Sequence, residues 1–181
     1  MTMPSRDNTV TRAVTQGEFL VSGEQDVVLS TVLGSCVACC LHDSERRIGG
    51  MNHFLLPDNG DTGQDRPLRY GVFAMETLIN ALLKVGARKD RLRAKLFGGA
   101  RIMAEFRDIG GSNAAFARSF LETEHIPCIS ESLGGRQARR VIFHPHSGKV
   151  RMLLVPATEA TVAYARPSSS RPAASGLIDL F

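Results

Sequence analysis

The sequence predicts an α+β fold in which packed β-sheets are flanked by helices, and the order of its apolar patterns supports this. Strand-like segments fill both ends of the chain, whereas the middle carries two segments with helical spacing. Strands and helices are therefore partly segregated rather than strictly alternating, which favours α+β over a doubly wound sheet. The composition agrees, because 181 residues with 43% hydrophobic and 22% charged residues are typical of one globular domain.

The first half of the chain is predicted to consist mainly of strands. Residues 1–16 are polar and predict a flexible N-terminal segment, after which one domain extends over residues 17–160. Short β-compatible stretches predict strands at Glu18–Ser22, Val27–Leu33, Cys36–His42 and Ile48–Leu56. The last two form a hairpin whose turn is centred on residues 44–45. The polar, Gly- and Pro-containing stretch 57–67 predicts an exposed loop.

The second half is predicted to begin with a helix over Gly71–Val85, closed by Gly86. Further predicted elements are a strand at Ala94–Phe97, a short helix from Gly98-Gly99 through Glu105, a helix over Asn113–Glu124 capped by Ser112, and strands at Ile126–Glu131, Arg139–His144 and Val150–Val155. Residues 161–181 are rich in Pro, Ser, Ala and Arg and predict a disordered C-terminal tail.

The predicted hairpin brings a cysteine and a histidine together. With the turn centred on residues 44–45, Cys36 lies directly opposite His53, and such pairs have Cβ atoms roughly 4.5–5.5 Å apart. A thiol beside an imidazole is the arrangement of a cysteine nucleophile activated by a histidine base. Gly34-Ser35 permits a turn that aims backbone N–H groups at an oxyanion. A slip of one residue would separate the pair.

The cysteines are compatible with two other interpretations. Cys36 alone is compatible with a buried structural residue. The Cys36-x-x-Cys39 spacing is also compatible with a redox or metal site that includes Cys40, His42 and His53. On a strand, however, Cys36 and Cys39 point to opposite faces, and no second CxxC or histidine pair completes a zinc site. We therefore expect no metal and no cofactor, and we expect Cys39, Cys40 and Cys128 to be small core residues.

Composition argues against several other classes of function. A net charge of +4, no Trp and no interleaving of basic and aromatic residues give no support for nucleic-acid binding. No apolar run approaches the roughly 20 residues that span a bilayer, and residues 1–16 lack a signal-peptide core. Four cysteines without a secretion signal indicate a reducing compartment. The sequence thus predicts a cytoplasmic protein that is not membrane-embedded.

Three motifs follow one another in the chain: Leu33-Gly34-Ser35-Cys36-Val37, Met51-Asn52-His53-Phe54-Leu55-Leu56-Pro57 and Lys95-Leu96-Phe97-Gly98-Gly99-Ala100. Together they resemble the chemoreceptor glutamine deamidase family, CheD. Asp108-Ile109-Gly110 with Asn113, Gly134-Gly135-Arg136 and the late Ser147-Gly148 hairpin fit the same pattern. The similarity extends in order over roughly residues 17–155, which makes it far more specific than any single motif.

The resemblance implies a cysteine-hydrolase-like fold and a protein-glutamine glutaminase of bacterial chemotaxis. Such an enzyme converts glutamine to glutamate on chemoreceptor cytoplasmic helices through a thioester. The family's nucleophile falls on Cys36 and its histidine on His53. The third position, a threonine in the family, falls on Ser30, whereas strand alternation predicts that Thr31 faces away from Cys36. Some members also bind a CheC-type phosphatase.

The sequence leaves other functions open. A non-enzymatic adaptor could use the same fold to bind receptors or a CheC-type phosphatase, with Cys36 taking part in no reaction. A thioester also does not dictate its acceptor, so another amidase or a transglutaminase-like transfer remains an alternative. A thiol redox or metal module ranks third.

Overall fold

The computed structural model describes residues 9–57, 65–102 and 108–156, which form two β-sheets and two long helices. Its elements are β1 (Val10–Ala13), β2 (Phe19–Ser22), β3 (Val27–Leu33), β4 (Val37–Asp43), β5 (Ile48–Asn52), α1 (Asp65–Lys84), β6 (Arg93–Gly98), α2 (Ile109–Thr123), β7 (Cys128–Leu133), β8 (Ala138–His144) and β9 (Lys149–Val155). Within these ranges, neither helix has the length and apolar character to cross a bilayer.

The strands form a four-stranded sheet in the order β1-β3-β8-β9 and a five-stranded sheet in the order β2-β5-β4-β6-β7. Pairing is antiparallel except for β1 with β3 and β6 with β7. The α+β prediction, with packed sheets and flanking helices, is confirmed. The chain crosses from the four-stranded to the five-stranded sheet between β3 and β4. Cys36 lies in the connection that makes this crossing.

Alternate residues of β4 enter two different apolar cores. Ala38 and Cys40 face the four-stranded sheet and pack with side chains of β3 and β8 between the sheets. Val37, Cys39 and Leu41 face the helices. The helices contribute Met75, Leu78 and Leu82 from α1, and Ala117, Phe120 and Leu121 from α2. The five-stranded sheet is therefore the middle of three layers, which explains why β4 is apolar on both faces.

The predicted strands from β2 onward are present, with ends that differ by a few residues, but β1 differs from the expectation. Residues 10–13, assigned to the flexible segment, pair in parallel with β3 from Val10 opposite Val27 to Ala13 opposite Ser30. β1 is an edge strand with exposed side chains, so it lacks the alternation that identifies a half-buried strand. Residues 1–8 lie outside the described part of the chain.

Both long helices begin earlier than predicted. α1 starts at Asp65, within the stretch assigned to a polar loop, and it ends before Gly86, whose φ of +98° fits the predicted C-terminal glycine. α2 starts at Ile109 and is capped by Asp108, whose side chain accepts a hydrogen bond from the Gly111 amide. The prediction of Ser112 as the cap was wrong.

The short helix predicted after β6 is not helical in residues 99–102. Its remaining residues lie outside the described ranges, as do most of the predicted loop after Pro57 and the whole predicted C-terminal tail.

Candidate active site

Cys36 lies where the chain crosses between the sheets. β3 ends at Leu33 and β4 begins at Val37, and residues 34–36 form a short connection that belongs to neither strand. The Cys36 side chain enters the core between the sheets and is 0% exposed. The thiol is therefore sheltered from bulk water.

The connection that carries Cys36 is held from the far side of the five-stranded sheet. The carbonyl groups of residues 34, 35 and 36 accept hydrogen bonds from Ala100 N at 2.9 Å, Asn113 Nδ2 at 2.8 Å and Gly99 N at 2.8 Å, respectively. Each peptide unit is planar, with its C=O and N–H pointing in opposite directions. Tethering the carbonyl groups therefore also fixes the directions of the N–H groups of Ser35 and Cys36.

The Gly98-Gly99 pair packs directly against this connection. Both residues have positive φ, of 108° and 64°, and a Cβ on Gly98 would overlap the carbonyl oxygen of Cys36. Only glycine meets both conditions without strain. The interpretation of this pair as a site of close backbone packing is confirmed.

The hairpin register differs from the prediction by two residues. Cys40 pairs with Met51, and an isolated bridge joins Val37 to Phe54. The predicted direct pairing of Cys36 with His53 is therefore wrong. A shift of two preserves the alternation of faces, so His53 remains on the same face as Cys36, one diagonal position away.

His53 is bound through one ring nitrogen to the opposite sheet. Its Nδ1 lies 2.9 Å from Thr31 Oγ1 and 3.3 Å from the Val14 carbonyl oxygen, while Thr31 Oγ1 donates to that same carbonyl at 2.7 Å. With the Thr31 proton assigned to Val14 O, which can only accept, these contacts favour the tautomer in which Nδ1 carries the proton and donates. In the neutral ring, Nε2 is then the basic nitrogen.

The second ring nitrogen of His53, Nε2, is buried and has no hydrogen-bond partner. Among the described residues, no other buried side-chain nitrogen or oxygen lacks a partner. Burial lowers the pKa of His53 below its ordinary value, and the Val14 carbonyl and the Glu18 charge oppose this effect only in part. The site therefore favours a neutral imidazole whose basic nitrogen is unoccupied. This is the state that a general base requires.

The hydroxyl that contacts His53 belongs to Thr31, contrary to the expectation that Ser30 would hold this place. The spacing of the family motif pointed to Ser30, and strand alternation counted between Thr31 and Cys36 excluded Thr31, but β3 ends at Leu33 and the chain then changes sheets. Alternation cannot be carried across that break. Within β3, Leu29, Thr31 and Leu33 are buried, whereas Ser30 is half-buried beside them.

A cavity of about 250 Å³ reaches His53 from the surface side of β3. Its lining includes Thr15, Gln16, Ser30 and Thr31. Gln16 stands between this cavity and the nucleophile, because the Cys36 thiol donates to Gln16 Oε1 at a distance of 3.6 Å. Ser30 thus lines the approach to the site, while Thr31 binds the histidine.

The other cysteines lie in different environments of the fold. Cys39 points into the helix-side core, on the opposite face from Cys36, as strand alternation predicts. Cys40 is buried as expected, but Cys128 is exposed, so its assignment to the core was wrong. Within the described ranges, no three His, Cys, Asp or Glu side chains are grouped to bind a metal ion.

Two residues that position the site were not recognised as such in the sequence. Asn113, fully buried in α2, donates to Ser35 O and accepts from Leu56 N at 2.9 Å, so it joins the Cys36 connection to the segment after His53. A buried asparagine on an otherwise apolar helix face is a signal that could have identified it. No sequence pattern connects Gln16 with Cys36, twenty positions away.

Comparisons with known proteins identify the family to which the chain is similar. The family model CheD, described as "CheD chemotactic sensory transduction", matches residues 55–153. Two curated relatives bear the name "Probable chemoreceptor glutamine deamidase CheD". That of Caulobacter vibrioides is 54% identical over 93% of this chain and 91% of its own length, and that of Rhizobium meliloti is 51% identical over 90% and 91%. Among solved structures, Neisseria meningitidis protein NMB0706 is similar with a TM-score of 0.47 and 12% identity, covering 75% of each chain.

Proposed function

Since the chain belongs to the CheD family of chemoreceptor glutamine deamidases, we propose that it hydrolyses glutamine side-chain amides on chemoreceptor cytoplasmic helices with Cys36 as nucleophile and His53 as base. The observation that supports these roles is the unpartnered Nε2 of His53, on the same sheet face as a buried thiol. Because the proposed substrates are cytoplasmic helices of receptors, we propose that the chain acts in the cytoplasm.

The reaction proceeds in two half-reactions. The Nε2 atom of His53 takes the Cys36 proton, and the thiolate attacks the carbonyl carbon of the substrate amide. The imidazolium returns this proton to the amide nitrogen, the C–N bond breaks, and ammonia leaves a thioester. Nε2 then deprotonates water, which attacks the thioester to release glutamate and restore the thiol. The product side chain carries one more negative charge than the substrate.

Thr31 acts as a positioning residue for His53. Its hydroxyl gives its only proton to Val14, so its oxygen accepts the Nδ1 proton of His53. This contact holds the tautomer in which Nε2 is basic and stabilises the imidazolium that forms during the reaction. We assign to Thr31 the orienting role that the resemblance placed at Ser30.

The negative charge of the tetrahedral intermediate requires hydrogen-bond donors, and we assign these to the N–H groups of Ser35 and Cys36. The tethered carbonyl groups of Gly34 and Ser35 belong to the same peptide units as these N–H groups and keep them in fixed directions. Preorganised donors stabilise an oxyanion without reorganisation during the reaction.

A CheC-type phosphatase is proposed as a further partner by analogy with family members.

The test is peptide mass spectrometry of a chemoreceptor cytoplasmic fragment incubated with the full chain. We expect conversion of glutamine to glutamate by the wild type and none by Cys36→Ala or His53→Ala. Cys39→Ala is the matched control, since this buried cysteine faces the other core, and it should retain activity. Thermal unfolding of each variant verifies folding.

Two outcomes would contradict the proposal. Conversion that persists in Cys36→Ala would exclude the thiol as nucleophile. A folded wild type that binds several receptor fragments without converting any glutamine would instead favour the adaptor function.

A further inference from the structure

The chain places one of its own glutamine side chains against its nucleophile. The Cys36 thiol donates to Gln16 Oε1 with a sulfur–oxygen distance of 3.6 Å. A glutamine side-chain amide is the functional group on which the proposed enzyme acts. Cys36 is 0% exposed, whereas Gln16 is an exposed residue whose side chain also lines the cavity beside His53.

The backbone around Gln16 is anchored to the site on both sides. Gly17 N donates to the His53 carbonyl oxygen at 2.7 Å, and His53 N donates to the Glu18 carbonyl oxygen at 3.0 Å. On the other side, Val14 N donates to Ser30 O at 2.9 Å. The turn that contains Gln16 is therefore anchored to the segment around His53 and to β3. The position of this turn does not depend on the Gln16 side chain.

The turn itself is closed by local contacts. Glu18 N donates to Thr15 O at 3.0 Å, the Glu18 carboxylate accepts from Thr15 N at 2.9 Å, and Gly17 has a φ of +86°. With the backbone fixed in this way, rotation about the side-chain bonds of Gln16 is enough to move its amide away from the thiol. Such rotations of exposed side chains are fast and cost little free energy.

We propose that Gln16 is an internal pseudosubstrate, whose side-chain amide occupies the place that receives the glutamine amide of the substrate. The proposal rests on the deamidase function proposed above. Gln16 shields Cys36 in the free enzyme, and the substrate glutamine displaces it. The sulfur faces the amide oxygen of Gln16 rather than the electrophilic carbon, which accounts for an occupant that is held without being hydrolysed.

This arrangement predicts two separate consequences for Gln16→Ala. The thiol becomes more accessible, because its cover is removed. The substrate binds with a lower KM, because it no longer competes with an internal ligand, while kcat is unchanged because no catalytic group is lost. Both effects should be roughly three- to tenfold, as expected for one side-chain hydrogen bond.

The first experiment measures alkylation of Cys36 by iodoacetamide in the full chain, followed by peptide mass spectrometry. All proteins carry Cys128→Ser, since Cys128 is exposed and would also react. We expect faster alkylation in Gln16→Ala than in the parent. Gln25→Ala, which truncates another exposed glutamine in a turn, is the matched control and should react at the parental rate. In Gln16→Glu, the added negative charge opposes the thiolate and should slow alkylation.

The second experiment measures KM and kcat of Gln16→Ala on the receptor fragment. Parental values of both the alkylation rate and KM in a folded Gln16→Ala would overturn the proposal. So would glutamate at position 16 in the purified wild type together with glutamine there in Cys36→Ala, because Gln16 would then be a substrate rather than a shield. Alkylation does not require deamidase activity, so failure of the proposed function would be distinguished from failure of this one.

Discussion

The two buried layers of the molecule treat their polar side chains differently. In the layer between the five-stranded sheet and the helices, Asn52 and Asn113 use both ends of their amides in hydrogen bonds. In the layer between the sheets, His53 is bound through Nδ1 and leaves Nε2 without a partner. An unsatisfied buried polar atom costs stability. The two asparagines therefore stabilise the structure, whereas His53 keeps one nitrogen available for a reaction.

The two asparagines show what structural use of a buried amide requires. Asn52 accepts from Cys39 N at 2.9 Å and donates to the Ala74 carbonyl oxygen at 3.1 Å, which ties β4 to α1 across β5. Asn113 ties the Cys36 connection and Leu56 to α2. In each asparagine the amide oxygen accepts and the amide nitrogen donates within the protein, so both ends of the amide hold the structure together.

The largest expected effect comes from removing the unsatisfied nitrogen. His53→Asn, whose amide nitrogen can replace Nδ1 while Nε2 is removed, should lower kcat by on the order of 10²–10⁴, the usual contribution of a general acid–base group. Its thermal stability should change little, because Nε2 made no hydrogen bond and the donor to Thr31 and Val14 is retained. Steady-state kinetics and thermal unfolding of the same preparations provide the measurement. A variant that unfolds like the wild type and keeps the wild-type kcat would contradict the assignment of the unpartnered Nε2 to catalysis.

A smaller effect on activity, but a larger one on stability, is expected at Asn113. Asn113→Ala leaves Ser35 O and Leu56 N without their partners, and it should lower the free energy of unfolding by about 1–3 kcal/mol. The Cys36 connection also loses a tether, so kcat of the folded protein should fall. Urea unfolding and kinetics measured well below the transition check both effects.

Asn52→Ala is the matched control for this prediction. It should destabilise the protein to a similar extent, because Cys39 N loses its buried partner. It does not touch the Cys36 connection, so kcat of the folded protein should stay near the wild-type value. Equal losses of kcat in both variants would mean that general loosening, rather than displacement of Cys36, explains the effect of Asn113→Ala.

The sequence predicted well what depends on local periodicity. β3, β8 and β9 alternate or are continuously apolar, and their bounds were found to within a residue. β1 was missed because it is an exposed edge strand whose existence depends on pairing with β3. The start of α2 was missed because Gly110-Gly111 resembles a breaker. Here Gly110 lies so close to the carbonyl of Ala100 that a side chain would not fit.

The site was predictable only as far as the alternation of faces extends. Cys36 and His53 share a face in both the predicted and the observed register, since the two differ by an even number of residues. Thr31 was excluded because its alternation was counted across a change of sheet that the sequence does not mark. Gln16 approaches the thiol through tertiary contacts of a turn, which no periodicity encodes.

The choice between Thr31 and Ser30 gives the next prediction. Thr31→Val keeps the shape but removes the oxygen that accepts from His53 Nδ1, and kcat should fall roughly 10- to 100-fold, as for other partners that orient a functional histidine. Thr31→Ser restores the oxygen and should recover most of the activity. Ser30→Ala should stay near wild type. Loss of activity in Ser30→Ala but not in Thr31→Val would return the role to Ser30.

The smallest expected effect is the pH dependence that His53 contributes. Burial lowers the pKa of His53, so the folded protein binds fewer protons here than the unfolded chain as pH falls below the ordinary histidine value of about 6.5. The contribution of His53 to stability is therefore fully present above that pH and is lost progressively below it. Each unit of pKa difference corresponds to about 1.4 kcal/mol.

Urea unfolding at a series of pH values, for the wild type and His53→Asn, isolates this contribution. Burial also lowers the pKa of His42, which gives a dependence of the same sign, but that part is common to both proteins and cancels in the difference. The wild type should lose more stability than the variant between pH 7.5 and 5, and the acid limb of its kcat/KM profile should lie below pH 6.5. A limb above that value would mean that His53 is charged in the resting enzyme. The open Nε2 would then be explained by a preformed ion pair with the thiolate rather than by a neutral base.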